Sequence, residues 1–189
     1  MDATYRLHLE ASNGTISATR RLRMETNTDS VEKRILLRAP LERVWSAISD
    51  SKQFGRWFGV KFDSAFVAGA RIVGKVIPLT VSVDAAATEN QKQREGNPCT
   101  ITVERIEPMR LFSIRWYPLD EEPGVDYLNE PTTLVEFKLE EVPGGTLLTL
   151  TESGFDGLSL ERRAETRTSH HQGWTNYMTI IKKYLALAA

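Results

Sequence analysis

This chain of 189 residues has one cysteine, Cys99. A single thiol cannot close an internal disulfide and offers no ligand pair for a metal, so a reducing, cytoplasmic setting is expected. Net charge is scarce as well. The 24 Lys and Arg residues nearly cancel the 25 Asp and Glu, leaving a formal charge of -1. That balance exerts no global pull on nucleic acid or on an anionic membrane, and neither is expected as a partner. No run reaches the roughly eighteen apolar residues that a membrane-spanning helix needs, and the opening MDATYRLHLE has no signal-peptide core. No glycine-rich phosphate loop and no Ser-His-acid signature is present. The sequence therefore supplies no catalytic set, and no metal or cofactor is expected.

What is present is ordinary for a globular chain: 41% hydrophobic and 26% charged side chains. At this length about 70% of the unfolded chain's surface can be buried, so one domain can hold a core without staples. Tyr5, Leu7 and Leu9 alternate with polar residues and Asn13-Gly14 is a tight-turn pair, which predicts a hairpin in an N-terminal extension over residues 1–30. His8 falls within that extension. The polar stretch TNTDS, Thr26 to Ser30, separates it from a main domain expected over 31–189.

Val31, Ile35 and Leu37 recur at even spacing, as in a strand with one buried face, and Pro40 ends that strand. Proline suits the first turn of a helix, and Leu41, Val44, Trp45 and Ile48 follow at helical spacing. Ser51 to Val60, SKQFGRWFGV, reads as a second short helix or turn rich in aromatics. Five strands are expected next: Ala70 to Ile77, Cys99 to Ile106, Arg110 to Tyr117, Thr132 to Glu140 and Thr146 to Glu152. Two longer connections, Asp84 to Pro98 and Asp120 to Glu130, read as solvated loops, with a gate or a docking edge as the alternative. The second carries five carboxylates and no base. Ser159 is a suitable N-cap, and the run to Ala189 reads as one long helix. Advancing 100° per residue from Trp174 places Leu160, Arg163, Arg167, His170, Met178, Ile181 and Leu185 on its face, with His171 at the margin.

One strand, a helical pair, successive antiparallel strands and a long last helix make the order of an α+β helix-grip fold. In it a curved antiparallel sheet wraps around the C-terminal helix. Three stretches carry a more specific resemblance: RAPLERVWSAISDSKQFGRWFG, GGTLLTLTESGF and HHQGWTNYMTIIKKYL. In these the chain resembles the START-like superfamily and, within it, bacterial relatives of the C-terminal domain of the heat-shock protein 90 ATPase activator. The resemblance runs from about Val31 to Leu187. It implies a cavity between sheet and helix that takes an apolar or amphipathic molecule, and its name ties it to chaperones and stress.

The residues give that cavity independent support, because Trp45, Trp57, Trp116 and Trp174 all fall in expected elements or in the aromatic turn. Phe58, Phe137 and Met178 complete the expected apolar lining, and the alternative is that all seven simply fill the core. His170 and His171 are neighbours in a helix and point about 100° apart, which argues against joint metal binding. They are expected as polar lining instead. Arg163 and Arg167 would draw an acidic head group. If Arg167 or His170 were buried, Glu136 or Glu152 on the strands would be the partner, with Glu152 better placed beside Leu148 and Leu150.

Three function classes stay open. The first is a non-enzymatic binding module for a hydrophobic small molecule. The second is a co-chaperone-like or regulatory module docking a chaperone or regulator on the acidic loop. That reading is weakened because the eukaryotic activators carry a separate chaperone-binding domain and this chain is too short to hold one. The third is an enzyme using Glu152 or His170 as acid or base on a bound apolar substrate. Monomer and dimer are equally open.

Overall fold

The computed structural model describes residues 29–79, 89 and 91–187. The hairpin expected in the first thirty residues, His8 and part of the Asp84 to Pro98 connection lie outside them.

Seven strands form a single antiparallel sheet: β1 (Ser30–Leu37), β2 (Val60–Phe62), β3 (Arg71–Val76), β4 (Pro98–Glu107), β5 (Leu111–Trp116), β6 (Thr133–Val142) and β7 (Gly145–Ser153). Their order across the sheet is β1-β7-β6-β5-β4-β3-β2. The last strand returns beside the first, so the strand that leads into the helical pair and the one that leads toward the long last helix lie side by side at one end of the sheet. A register shift between Val103 and Arg105 interrupts the β4–β5 ladder, and such an irregularity sharpens the local bend. The concave face holds α1 (Leu41–Ser49), α2 (Ser51–Phe58) and the 28-residue α3 (Leu160–Leu187).

The local reasons are those that the sequence offers. The Pro40 carbonyl accepts from the Arg43 and Val44 amides to start α1. The Asp50 carboxylate accepts from the Gln53 amide at 2.8 Å and caps α2. Gly59, at φ 79°, ends α2 in the left-handed conformation that glycine adopts without penalty. The Trp57 indole then donates to the Ala47 carbonyl at 2.8 Å and ties the two short helices together. Around Phe54 the rings of Trp57, Phe58, Phe66 and Phe137 pack at centroid distances of 4.8 to 5.8 Å. Among the described residues, aromatic side chains fill the middle of the space between sheet and helices.

The expected strands are present within one to three residues at each end, but four details differ. Val60–Phe62 form a short strand that the aromatic turn concealed. Leu160 is 82% exposed, whereas Ile180 and Tyr184 are buried. Trp174, Met178, Ile181 and Leu185 are buried as the stripe predicts, but β1, α1, α2 and the 3-10 turn Phe155–Gly157 all meet α3, so the covered face is broader than one stripe and does not reach Leu160. Gln91, in the first long connection, is buried and donates to the carbonyls of Gly59 and Ile77. Glu121, in the second, is buried and accepts from the Thr100 amide and hydroxyl at 2.6 and 2.8 Å. Both connections are thus fastened to the sheet at a polar residue.

Gly55 shows how tightly α2 sits on β2, since a Cβ there would lie 2.2 Å from the Val60 carbonyl oxygen. Alanine favours a helix over glycine by about 1 kcal/mol, yet Gly55→Ala is expected to destabilise the protein by about 1–3 kcal/mol through this clash. Urea denaturation measures it. An unchanged or raised midpoint would show that α2 can move off the strand.

Candidate functional site

Alternation along β7 turns Leu148, Leu150 and Glu152 to the concave side, and Glu152 has no exposed surface. A buried carboxylate is stable only if its oxygens are satisfied. Four donors do this. Oε1 accepts from the Thr133 hydroxyl at 2.6 Å and the Trp116 indole at 2.9 Å. Oε2 faces the Trp174 indole at 2.6 Å and His170 Nδ1 at 2.8 Å. The other ring nitrogen, His170 Nε2, lies 2.7 Å from the Pro118 carbonyl, which can only accept. Indole nitrogens can only donate, so the arrangement is satisfied by an ionised Glu152 and a His170 that donates from both nitrogens.

Burial by itself would raise the Glu152 carboxyl. The hydrogen bond and charge of His170, with the Thr133 and Trp174 donors, reverse this and hold it below its ordinary value. The side chain of His170 is only 16% exposed, and its ring stands edge-on to Trp116 and Phe155 at 5.7 and 5.6 Å. Four donors saturate a carboxylate's acceptor sites. Glu152 and His170 therefore spend their hydrogen-bonding capacity on the protein, and neither offers a free lone pair for acid–base work.

Beside this node runs a wall of rings. Phe58 stacks on Tyr177 at 4.6 Å and on Trp174 at 6.2 Å, and Trp116 lies 5.8 Å from Phe58 and 5.6 Å from Trp174. Trp174 and Phe58 are buried, while Trp116 and Tyr177 are half-buried at the rim of the sheet. An ion pair of 2.5 Å between Arg94 and Asp120 joins the segments leading into β4 and out of β5.

The residues singled out in the sequence separate into three groups. Phe58, Trp116, Glu152, His170 and Trp174 meet in the node and wall just described. Trp57, Phe137 and Met178 are buried in the core, and Trp45 packs against it half-buried. His171 is exposed and faces Lys33 Nζ at 3.0 Å, away from the wall. Glu136 lies on the opposite side of the sheet, with Lys138 and Thr151 around a shallow depression. Arg167 is half-buried on α3. Arg163 donates through Nη2 to the Asp156 and Leu158 carbonyls and closes the turn before α3. Sequence reasoning missed Tyr177, Arg94 and Thr133. Tyr177 sits three residues after Trp174, a spacing that puts neighbours on one helix face; Arg94 and Thr133 carried no comparable signal.

The open antiparallel sheet gripping a long terminal helix places the chain in the helix-grip, START-like class. Within that class, residues 38–186 match the family model described as Activator of Hsp90 ATPase homolog 1-like protein. The chain belongs to that family. Solved structures share the fold. Protein MLL2253 from Mesorhizobium loti is 22% identical over 85% of this chain and 98% of its own, with a TM-score of 0.60. An Arthrobacter aurescens protein is 16% identical over 84% and 87%, with a TM-score of 0.63. The Aha1 dimer from Colwellia psychrerythraea is 16% identical over 82% and 95%, with a TM-score of 0.54. No curated protein matches the chain. Among the described residues no helix is long and apolar enough to cross a membrane.

Glu152→Gln turns one oxygen into an NH2 group that faces two of the four donors and removes the charge that the other two serve, so a loss of about 3–5 kcal/mol of stability is expected, measured by chemical denaturation. The wild type should also depend on pH in a defined sense. A carboxyl whose folded value lies below its ordinary 4.5 contributes fully above that value and loses the contribution as pH falls through the folded value. Acidification below 4.5 should therefore destabilise the wild type more steeply than Glu152→Gln. Parallel stability curves for the two would remove the buried charge from this account.

Proposed function

We propose that the protein is a non-enzymatic binding module for a small hydrophobic or amphipathic molecule, held at the rim between sheet and α3. The observation that carries this reading is the partly exposed ring wall whose two indoles are oriented by one buried carboxylate. A half-exposed Trp116, fixed at its far end by a hydrogen bond and flanked by the half-exposed Tyr177, suits a site that takes up apolar surface in a set orientation. Aromatic residues among those described pack around Phe54, and the site proposed for the ligand is the segment bounded by Phe58, Trp116, Trp174 and Tyr177. Saturation of Glu152 and His170 favours binding over acid–base catalysis.

A second reading, a co-chaperone-like or regulatory interaction module, draws on the acidic loop. There Val125 and Leu128 are 51% and 63% exposed, while Glu121 and a Tyr117–Tyr127 ring contact of 4.6 Å hold the loop against the sheet. Family membership is the ground for a link to chaperones and stress.

Native mass spectrometry of freshly purified protein, followed by identification of anything released, tests the first reading. A stoichiometric apolar molecule is the expected result. Trp116→Leu should weaken its rebinding about tenfold, or roughly 1.4 kcal/mol. An empty protein that is also indifferent, in thermal-shift measurements, to fatty acids, flavonoids and polyketides would overturn the reading and favour partner capture on the acidic loop.

A further inference from the structure

The polar end of the ring wall carries a chemical preference. Arg94 donates through Nη2 to Asp120, but its Nε is buried and has no hydrogen-bond partner. An unsatisfied buried donor is costly, and a ligand atom that accepts a hydrogen bond would remove the cost. The Tyr177 phenol and the Cys99 thiol lie in the same neighbourhood and are both donors. Burial pushes Tyr177 up to about 12, with Arg94 opposing and Cys99 and Asp120 adding to the rise. Burial and Glu121 push Cys99 up to about 12 against the pull of Arg94. Both therefore keep their protons at neutral pH. The neighbourhood has donors to spare.

Its charge decides which acceptor fits. One guanidinium, Arg94, stands against two carboxylates, Asp120 and Glu121, and both Glu121 oxygens are occupied by Thr100. Among the described residues the cation is already neutralised, and one negative charge is left over. A carboxylate or sulfonate ligand would be repelled by that excess charge. An uncharged oxygen meets only the free donors.

We propose that the ligand of the ring wall carries an uncharged carbonyl oxygen, as in an aryl ketone, quinone or amide, which accepts from Arg94 Nε–H and the Tyr177 hydroxyl, and that acids are discriminated against. This rests on the binding reading above and reverses the acidic head group expected from Arg163 and Arg167. The flat π-system lies against the half-exposed Trp116 and Tyr177, and the oxygen points toward the Arg94–Asp120 pair.

Three probes of nearly equal size separate the possibilities by equilibrium dialysis: 2-acetylnaphthalene, 2-ethylnaphthalene and 2-naphthoate. The ketone is expected to bind about tenfold more tightly than the hydrocarbon and to exceed the acid by more. Arg94→Met should erase the ketone's advantage over the hydrocarbon. Asp120→Asn should strengthen naphthoate about tenfold, because it removes the excess negative charge. If the ketone and hydrocarbon bind equally, or naphthoate binds best to the wild type, the carbonyl inference is overturned and the ring wall remains as the site. If none of the three binds, the site itself is overturned together with the inference.

Discussion

A single buried carboxylate governs how the helix meets the sheet. Glu152 collects donors from β5, β6 and two turns of α3, and none can move far without leaving a charge unsatisfied in the interior. Apolar packing alone would let a helix slide or rotate with modest loss, because dispersion is weak per contact and insensitive to direction. Hydrogen bonds to a charge are directional, and a buried polar network is stable only when fully satisfied. The node thus sets the register of α3 against the strands, and the aromatic packing around Phe54 fills the volume which that register defines.

Orientation at the rim follows from the same contacts. The indoles of Trp116 and Trp174 bind different oxygens of Glu152, which fixes both ring planes, and Phe58 and Tyr177 stack into the space between them. His170 extends the network outward to the Pro118 carbonyl, where the chain leaves β5 for the acidic loop. Core, ring wall and loop therefore form one connected structure. A binding function at the rim uses groups that are already held in place, and an adapting partner would meet little rearrangement there.

The family relation and the site speak to different questions. Membership in the Activator of Hsp90 ATPase homolog 1-like family, with helix-grip neighbours at 14 to 23% identity, establishes the fold. The proposed ligand preference rests on the side chains of this chain. Those side chains place a neutralised arginine and protonated hydroxyl and thiol groups beside aromatic faces, a combination that the fold does not dictate.

Much of the architecture could be read from the sequence. Alternation in TLLTLTE and VEKRILL marked the strands, Pro40 marked the passage from strand to helix, and the run after Ser159 marked α3. Such signals are local, since they arise from backbone geometry within a few residues. The sequence also pointed to Glu152 as a partner for His170, because alternation placed it among buried leucines where an unpaired charge would be untenable. It did not reveal that Trp116 and Thr133, 36 and 19 residues from Glu152 in the chain, complete the same carboxylate. Nor did it reveal that Tyr177 continues the ring wall, that Arg163 closes a turn, or that Glu121 fastens an acidic loop to Thr100. Strand order decided those contacts. A carboxylate's partners are whatever donors the finished sheet and helix bring within 3 Å, and no local pattern records which distant strands become neighbours.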